Sequence, residues 1–348
     1  MAALSDQLLV VAILGYLVAM LCYAAEYSFG ARGAVARVAA RAAARPRELA
    51  TVGAGGSTAA GSTVGGSTPP VVAPVSPAPV SPAPVSPAGG SPGNVGRRLH
   101  GLGVAALVFT VLAALAHAGC LATRGLAAHR VPWGNMYEFV LAVTLVAAVA
   151  WLVLVVRRPK VRPLGLFVAL TLVVLLGLDG MVLYTRVAPL VPALNSYWLK
   201  IHVTLAATAS GILLVGFCAA VLHQIRAGYE RGKRGFPFTL GVRLPVADNL
   251  ERLTFRVHAF AFPIWTLAII CGAIWAESAW GRYWGWDPKE TWSFIAWVVY
   301  AGYLHARATP SVKRSTATWI AVVGWVAMMV NLFGVNFVVH GLHSYAGV

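Results

Sequence analysis

Phe139-Val-Leu-Ala-Val-Thr-Leu-Val-Ala-Ala-Val-Ala-Trp-Leu-Val-Leu-Val-Val156 carries no charge from end to end and stops on Arg157-Arg158. An apolar run of this length, coiled at ~1.5 Å per residue, spans about 27 Å, close to the hydrocarbon thickness of a bilayer. Moving outward, this run sits in a stretch at 135–156, and seven more of the same kind lie near 8–25, 101–123, 163–184, 199–223, 257–276, 288–308 and 317–340. The fold class expected is therefore all-α: a polytopic integral membrane protein with about eight transmembrane helices. Composition agrees, with 59% of the 348 residues hydrophobic, 11% charged and a mean hydropathy of +0.74. A water-soluble chain cannot bury so large an apolar fraction.

The net charge of +16 would suit a nucleic-acid binder, but its placement argues against one. The basic residues fall in short loops between apolar stretches. With the N-terminus outside, only Arg124, Arg130, Arg186, Lys200, Arg282 and Lys289 of the 27 Lys and Arg lie outside, which leaves 21 inside. Inner loops of membrane proteins collect Lys and Arg, so both termini are expected on the outer side. The first stretch has no preceding cation and no small-residue cleavage site, which reads as a retained helix rather than a signal peptide.

Three regions are expected: an N-terminal helix (1–25), an inner linker (26–98) and a membrane domain (99–348). The linker turns from Ala/Arg-rich to Gly/Ser/Thr-rich, and then repeats Ala-Pro-Val-Ser-Pro from Ala73, Ala78 and Ala83. Such a composition cannot bury a core and reads as a disordered tether. The loop near 224–256 is basic, and Asp248, Glu251 and Arg252 suggest a short surface helix within it. No phosphate-cradling glycine motif occurs, so nothing points to transport driven by the chain's own ATP hydrolysis. Cys22, Cys120, Cys218 and Cys271 all fall in expected helices and form no C-x-x-C pair. Neither a dithiol redox centre nor a self-attached c-type haem is encoded, and small buried hydrophobes describe these cysteines best.

Between the sixth and seventh helices lies Trp280-Gly281-Arg282-Tyr283-Trp284-Gly285-Trp286-Asp287-Pro288-Lys289-Glu290-Thr291-Trp292. This segment, 280–292, holds four of the chain's 12 tryptophans. One reading is an aromatic belt at the membrane interface. The other is a flat platform for a large planar ligand, its glycines allowing close approach. Asp287, Pro288 and Glu290 stand where an N-cap, a first helical residue and a capping-box partner would stand, although Asp287 also suits direct ligand contact.

Nine histidines accompany this segment. His202, near the start of the fifth helix, and His343, past the end of the eighth, share its expected face. Imidazole is a common axial ligand of haem iron, and two of them flanking an aromatic plate make a coherent haem site. His340 competes with His343 for that role. His305 sits about 21 Å along the seventh helix, in the inner half of the membrane, where an ionisable residue is either functional or a hydrogen-bonded packing group. His100, His223 and His258 are expected at the inner interface, His129 in an outer loop and His117 in the outer half of the second helix.

The segment from Trp280 to Trp292 resembles the tryptophan-rich WWD signature of haem-handling proteins. Its continuation Asp-Pro-Lys-Glu-Thr-Trp is similar to the CcsA/ResC branch of System II cytochrome c biogenesis. Further similarity lies in Ser196-Tyr197-Trp198 leading to His202, in Tyr303-Leu304-His305-Ala306-Arg307, in Gly334-Val335-Asn336-Phe337 leading to Gly341-Leu342-His343-Ser344-Tyr345, and in Asn135-Met136-Tyr137-Glu138. The likeness covers roughly residues 99–348. It implies haem b as cargo, with His202 and His343 as paired axial ligands and His305 as a ligand within the membrane. Trp280, Trp284, Trp286, Asp287 and Trp292 would hold the porphyrin so that its vinyl groups meet the Cys-x-x-Cys-His thiols of apocytochrome c. It also implies a separate ResB-type partner, a bacterial plasma membrane, and membership of a haem-attachment complex. The long Pro/Ala/Ser linker departs from the compact family pattern.

Two other classes compete. A cytochrome b-like electron-transfer subunit would place stacked histidine pairs within its helices, whereas here only His305 lies deep in a long apolar helix. A small-molecule transporter with an aromatic gate would bind no haem, which an absorbance spectrum decides. No general acid or nucleophile is visible, so catalysis by the chain alone is not implied.

Overall fold

The computed structural model describes residues 1–29, 92–188, 194–338 and 341–342, with side chains left out for residues 92–100. Met1–Ser28 and His100–Val348 form one compact unit, described below; Phe29–Leu99, most of the expected linker, is the other. His340 and His343 lie outside the described residues, as do residues 30–91 of the expected linker.

Eight long helices run through the described residues: α1 (Ala2–Phe29), α2 (Pro92–Ala128), α3 (Met136–Arg157), α4 (Gly165–Leu178), α5 (Tyr197–Glu230), α6 (Ala247–Trp280), α7 (Pro288–Ala308) and α8 (Arg314–Met329). Wider π-turns extend α4 over Asp179–Leu183 and α8 over Val330–Gly334. Seven spans are long and apolar enough to cross a membrane. The remaining helix, α7, has 21 residues, about 32 Å of helix, but is diluted by Lys289, Glu290, His305 and Arg307. The chain is thus an all-α, polytopic membrane protein.

The helices run longer than the apolar runs in the sequence because polar flanks continue them. The surface helix expected near Asp248–Arg252 is the first part of α6, not a separate element. No glycine or proline interrupts residues 247–262, and Asp248 pairs with Arg252 one turn on.

α1 buries Ser5, Leu9, Ala12, Tyr16, Ala19, Tyr23 and Tyr27, a stripe at three- and four-residue spacing. The central helix is α5, whose apolar window is 72% buried within the bundle, against 50% at most for any other span. Its closest partner is α6. The two cross with reciprocal contacts in which a glycine on each faces a histidine on the other. A methyl group on Gly216 of α5 would lie 2.6 Å from Cε1 of His258, and one on Gly272 of α6 would lie 2.7 Å from Cε1 and Nδ1 of His202. Both glycines are needed for space rather than for backbone freedom.

Two histidines depart from their expected surroundings. His258 is 1% exposed, between Tyr300 and Tyr303, and His223 is 4% exposed with Nδ1 donating to Ala247 O at 2.9 Å. Both were expected at an interface. On α6, His258 shares the buried stripe of Leu250, Thr254, Ala261 and Trp265, so helical phase outweighs its nearness to the basic loop. His117 is fully buried, edge-on to Tyr16.

The four cysteines are free, with Cys120 and Cys218 buried and Cys22 and Cys271 half-buried.

Candidate functional site

The tryptophan segment is held by local hydrogen-bond chemistry. Gly281 closes α6 in the left-handed region at φ 70°, its N–H donating to Glu277 O at 2.8 Å. α7 then starts with a full capping box. Asp287 accepts from the Lys289 N–H at 3.2 Å, Pro288 fills the first position, and Glu290 Oε2 accepts from the N–H groups of Gly285 (2.8 Å) and Asp287 (3.1 Å). Trp286 adopts φ 56°, a conformation costly for a bulky residue. The second oxygen of Asp287 accepts from the Leu342 N–H at 2.7 Å. A methyl group on Gly341 would approach that oxygen to 2.6 Å, so a larger residue there would have to displace the Asp287 carboxylate. Asp287 therefore anchors both the start of α7 and the segment leading into His343.

Beside this segment opens a cavity with about 1280 Å³ of empty space, counting its mouth. Its walls come from the start of α5, the last half of α6, the first turns of α7, the end of α8 and the loop before α3, all at one end of the bundle. Along α6 they run from Trp280 to Trp265, about 22 Å.

His202 is in the wall. Its ring lies nearly parallel to Trp275, with 12° between planes and 6.3 Å between centroids, and Nδ1 sits 2.7 Å from Ala268 O. A carbonyl only accepts, so Nδ1 carries a proton, and in the neutral ring Nε2 then carries the lone pair. That is the tautomer of a metal-ligating imidazole, with its other ring nitrogen held by a backbone carbonyl. The cradle is the space that the missing Gly272 side chain leaves.

Trp280 and Trp284 also line the cavity, and Trp280 packs edge-on against Trp275. Trp286 stands outside the wall, 64% exposed, edge-on to Trp284 and Phe294. Trp292 packs half-buried on the hydrophobic core, and Asp287 is taken up by backbone N–H groups. His305 is exposed in the last turn of α7, 17 residues beyond Pro288 and so about 26 Å along the helix. It is not brought to the cavity.

Several wall residues carried no signal of their own in the sequence. Trp265, Gly272 and Trp275 line the cavity, and they come together only where α6 crosses the start of α5.

The opposite wall, Trp133 to Met136, hangs on Glu138. This fully buried carboxylate receives Arg124 Nε at 2.8 Å, Arg130 Nη1 at 2.7 Å and the Gly134 N–H at 2.7 Å. Asn135 caps α3 by accepting from the Glu138 N–H at 2.9 Å. One carboxylate thus ties α2, the loop and α3 together behind the cavity.

These features define a polytopic helical membrane protein with an aromatic cavity at one bundle end and a supported histidine in its wall. The sequence profile described as "Cytochrome C assembly protein" matches residues 133–343. Similar chains include the cytochrome c biogenesis protein CcsA of Guillardia theta, 34% identical over 255 residues (68% of this chain, 83% of that one). That of Gloeobacter violaceus is 33% identical over 302 residues (71% and 87%), and that of Porphyra purpurea 30% over 284 (71% and 89%). The chain belongs to the cytochrome c assembly family and has a role in cytochrome c biogenesis, which involves the handling of haem and apocytochrome.

The glycine cradle gives a first expected outcome. Gly272→Ala would press a methyl group onto the His202 ring, an overpacking of about 1–3 kcal/mol. The ring should tilt off Ala268 O, so purified variant should bind less haem with an altered spectrum. Wild-type haem content and spectrum would show that the cradle does not position the ring.

Proposed function

We propose that the cavity receives haem b and presents it for covalent attachment to the Cys-x-x-Cys-His thiols of apocytochrome c, with His202 and His343 as the axial ligands. The observation that carries this reading is His202: an imidazole in the cavity wall, its Nδ1 proton given to Ala268 O and its ring stacked on Trp275. Trp280 and Trp284 supply flat apolar wall for a porphyrin, and Trp286 is an exposed surface for the incoming apocytochrome. Leu342, held by Asp287, is one residue from His343, which favours the second ligand reaching the same cavity.

Haem brings the iron and the vinyl groups; each thiol S–H adds across a vinyl C=C, so the thioether forms with no net oxidation or reduction. The part of this chain is to bind, orient and desolvate. His305, about 26 Å of helix from the start of α7, serves a separate haem position in the other half of the bilayer. The cation distribution supports an outer tryptophan segment and outer termini in a bacterial plasma membrane, with a ResB-type protein as partner.

The testing experiment is to purify the full chain with that partner and record absorption spectra of bound haem. Bis-histidine haem is expected. A preparation that supports cytochrome c assembly but never carries haem would remove the reading.

Asp287 offers a sharper outcome. Asp287→Asn keeps one acceptor oxygen, which can cap α7 or hold Leu342 but not both. Losing a hydrogen bond to a carboxylate costs about 1.5–3 kcal/mol. The haem spectrum should shift as it does in His343→Ala, with added imidazole restoring it in part. An unchanged spectrum would separate Asp287 from the second ligand.

A further inference from the structure

We infer that Lys289 is a carboxylate-binding subsite of the cavity, and that the carboxylate it takes is a propionate of the bound porphyrin. This rests on the haem reading above and adds which side chain fixes the orientation of the ligand.

Lys289 is the second residue of α7 and lines the cavity. A helix N-terminus carries partial positive charge, so a lysine in the first turn is locally disfavoured and an acid would suit the helix better. Its ammonium makes one side-chain hydrogen bond among the described residues, to Met136 Sδ at 3.9 Å, and thioether sulfur is a weak acceptor. Among the described residues no carboxylate forms an ion pair with it. Nearby Asp287 uses its oxygens on the N–H groups of Lys289 and Leu342, and Glu290 turns one oxygen to Gly285 and Asp287.

The other cations near this end do not compete. Arg124 and Arg130 are bound by Glu138. The Arg282 guanidinium lies across Gly285, in the space that a side chain there would fill, and is not part of the wall. Lys289 is therefore the one lysine or arginine among the residues that form the wall. An ammonium in a largely apolar wall, with the Asp287 carboxylate near it but engaged by backbone N–H groups, is costly, and a ligand carboxylate arriving beside it recovers part of that cost. A ligand that is flat and apolar over most of its area and acidic at one edge satisfies both the aromatic walls and this cation.

The test is a binding comparison on purified full-length protein in detergent, using haem and its dimethyl ester, in which both propionates are capped. Wild-type protein should bind haem at least ~10-fold more tightly than the diester, the ratio produced by about 1.4 kcal/mol. Lys289→Met, close in length and free of the charge, should bind the two alike, while Lys289→Arg keeps most of the preference. The absorption spectrum of haem bound to Lys289→Met should retain histidine ligation, which a collapsed cavity would not. Equal binding of haem and diester by wild-type protein would overturn the subsite, as would a full preference in Lys289→Met. If Lys289→Met does not fold, the wild-type comparison and Lys289→Arg still decide. Failure of wild-type protein to bind either compound would strike the haem reading itself, and is distinguishable from these outcomes.

Discussion

Purified His202→Ala, taken with the proposed ResB-type partner, is expected to hold haem whose spectrum has lost one imidazole ligand, and to attach almost none of it to apocytochrome c. The cause is local. His202 is placed by the Ala268 carbonyl, Trp275 and the Gly272 cradle, and no other histidine among the described residues lines the cavity. Added imidazole should recover part of the spectrum, because the missing group is a single neutral donor. His343→Ala should behave in the same way. His305→Ala should instead lower the amount of haem per protein and leave the spectrum of what arrives unchanged. It lies about 26 Å along α7 from Pro288, too far for a role at the same iron. Matching defects in haem content and spectrum across all three variants would reduce the two positions to one.

The largest loss of folded protein should follow Glu138→Ala. Two arginines and a backbone N–H converge on this carboxylate, and Arg124 is itself 1% exposed. Removing the acid strands buried positive charge, at a cost on the order of 3–5 kcal/mol. The yield of monodisperse protein in detergent should fall sharply. Removing Arg130 as well should return part of it, since one stranded cation is then gone, whereas Glu138→Gln should lose less than alanine because its amide oxygen still accepts. Haem binding should weaken in the surviving fraction, since Gly134, Asn135 and Met136 form cavity wall. If Glu138→Ala is as stable as wild type, the carboxylate does not hold the wall.

The orientation of α5 against α6 explains why some histidines could be read from the sequence and others could not. His202 stood out through its company: a Tyr-Trp pair before it and a shared bundle end with the tryptophan segment. His258 resembled an interfacial residue beside a basic loop, yet it is buried against Tyr300 and Tyr303. Its burial depends on the phase of α6 relative to Gly216, which lies 42 residues away in sequence. The sequence of α6 carries the stripe but does not say which helix covers it.

What the sequence determined by itself is local. Uninterrupted apolar runs require helices in a bilayer, because backbone N–H and C=O groups have no other partners there. The order Asp287-Pro288-x-Glu290 requires a helix start, and the structure has the full capping box there. Both follow from interactions within a few residues. The tertiary structure alone decided which tryptophans face the cavity, that Glu138 gathers cations from α2 and its loop, and that Asp287 reaches Leu342. These contacts join residues far apart in the chain, and their existence depends on how rigid helices rotate and cross. That is set by the fit of glycines, histidines and aromatics between neighbours, and no single segment contains both halves of such a fit.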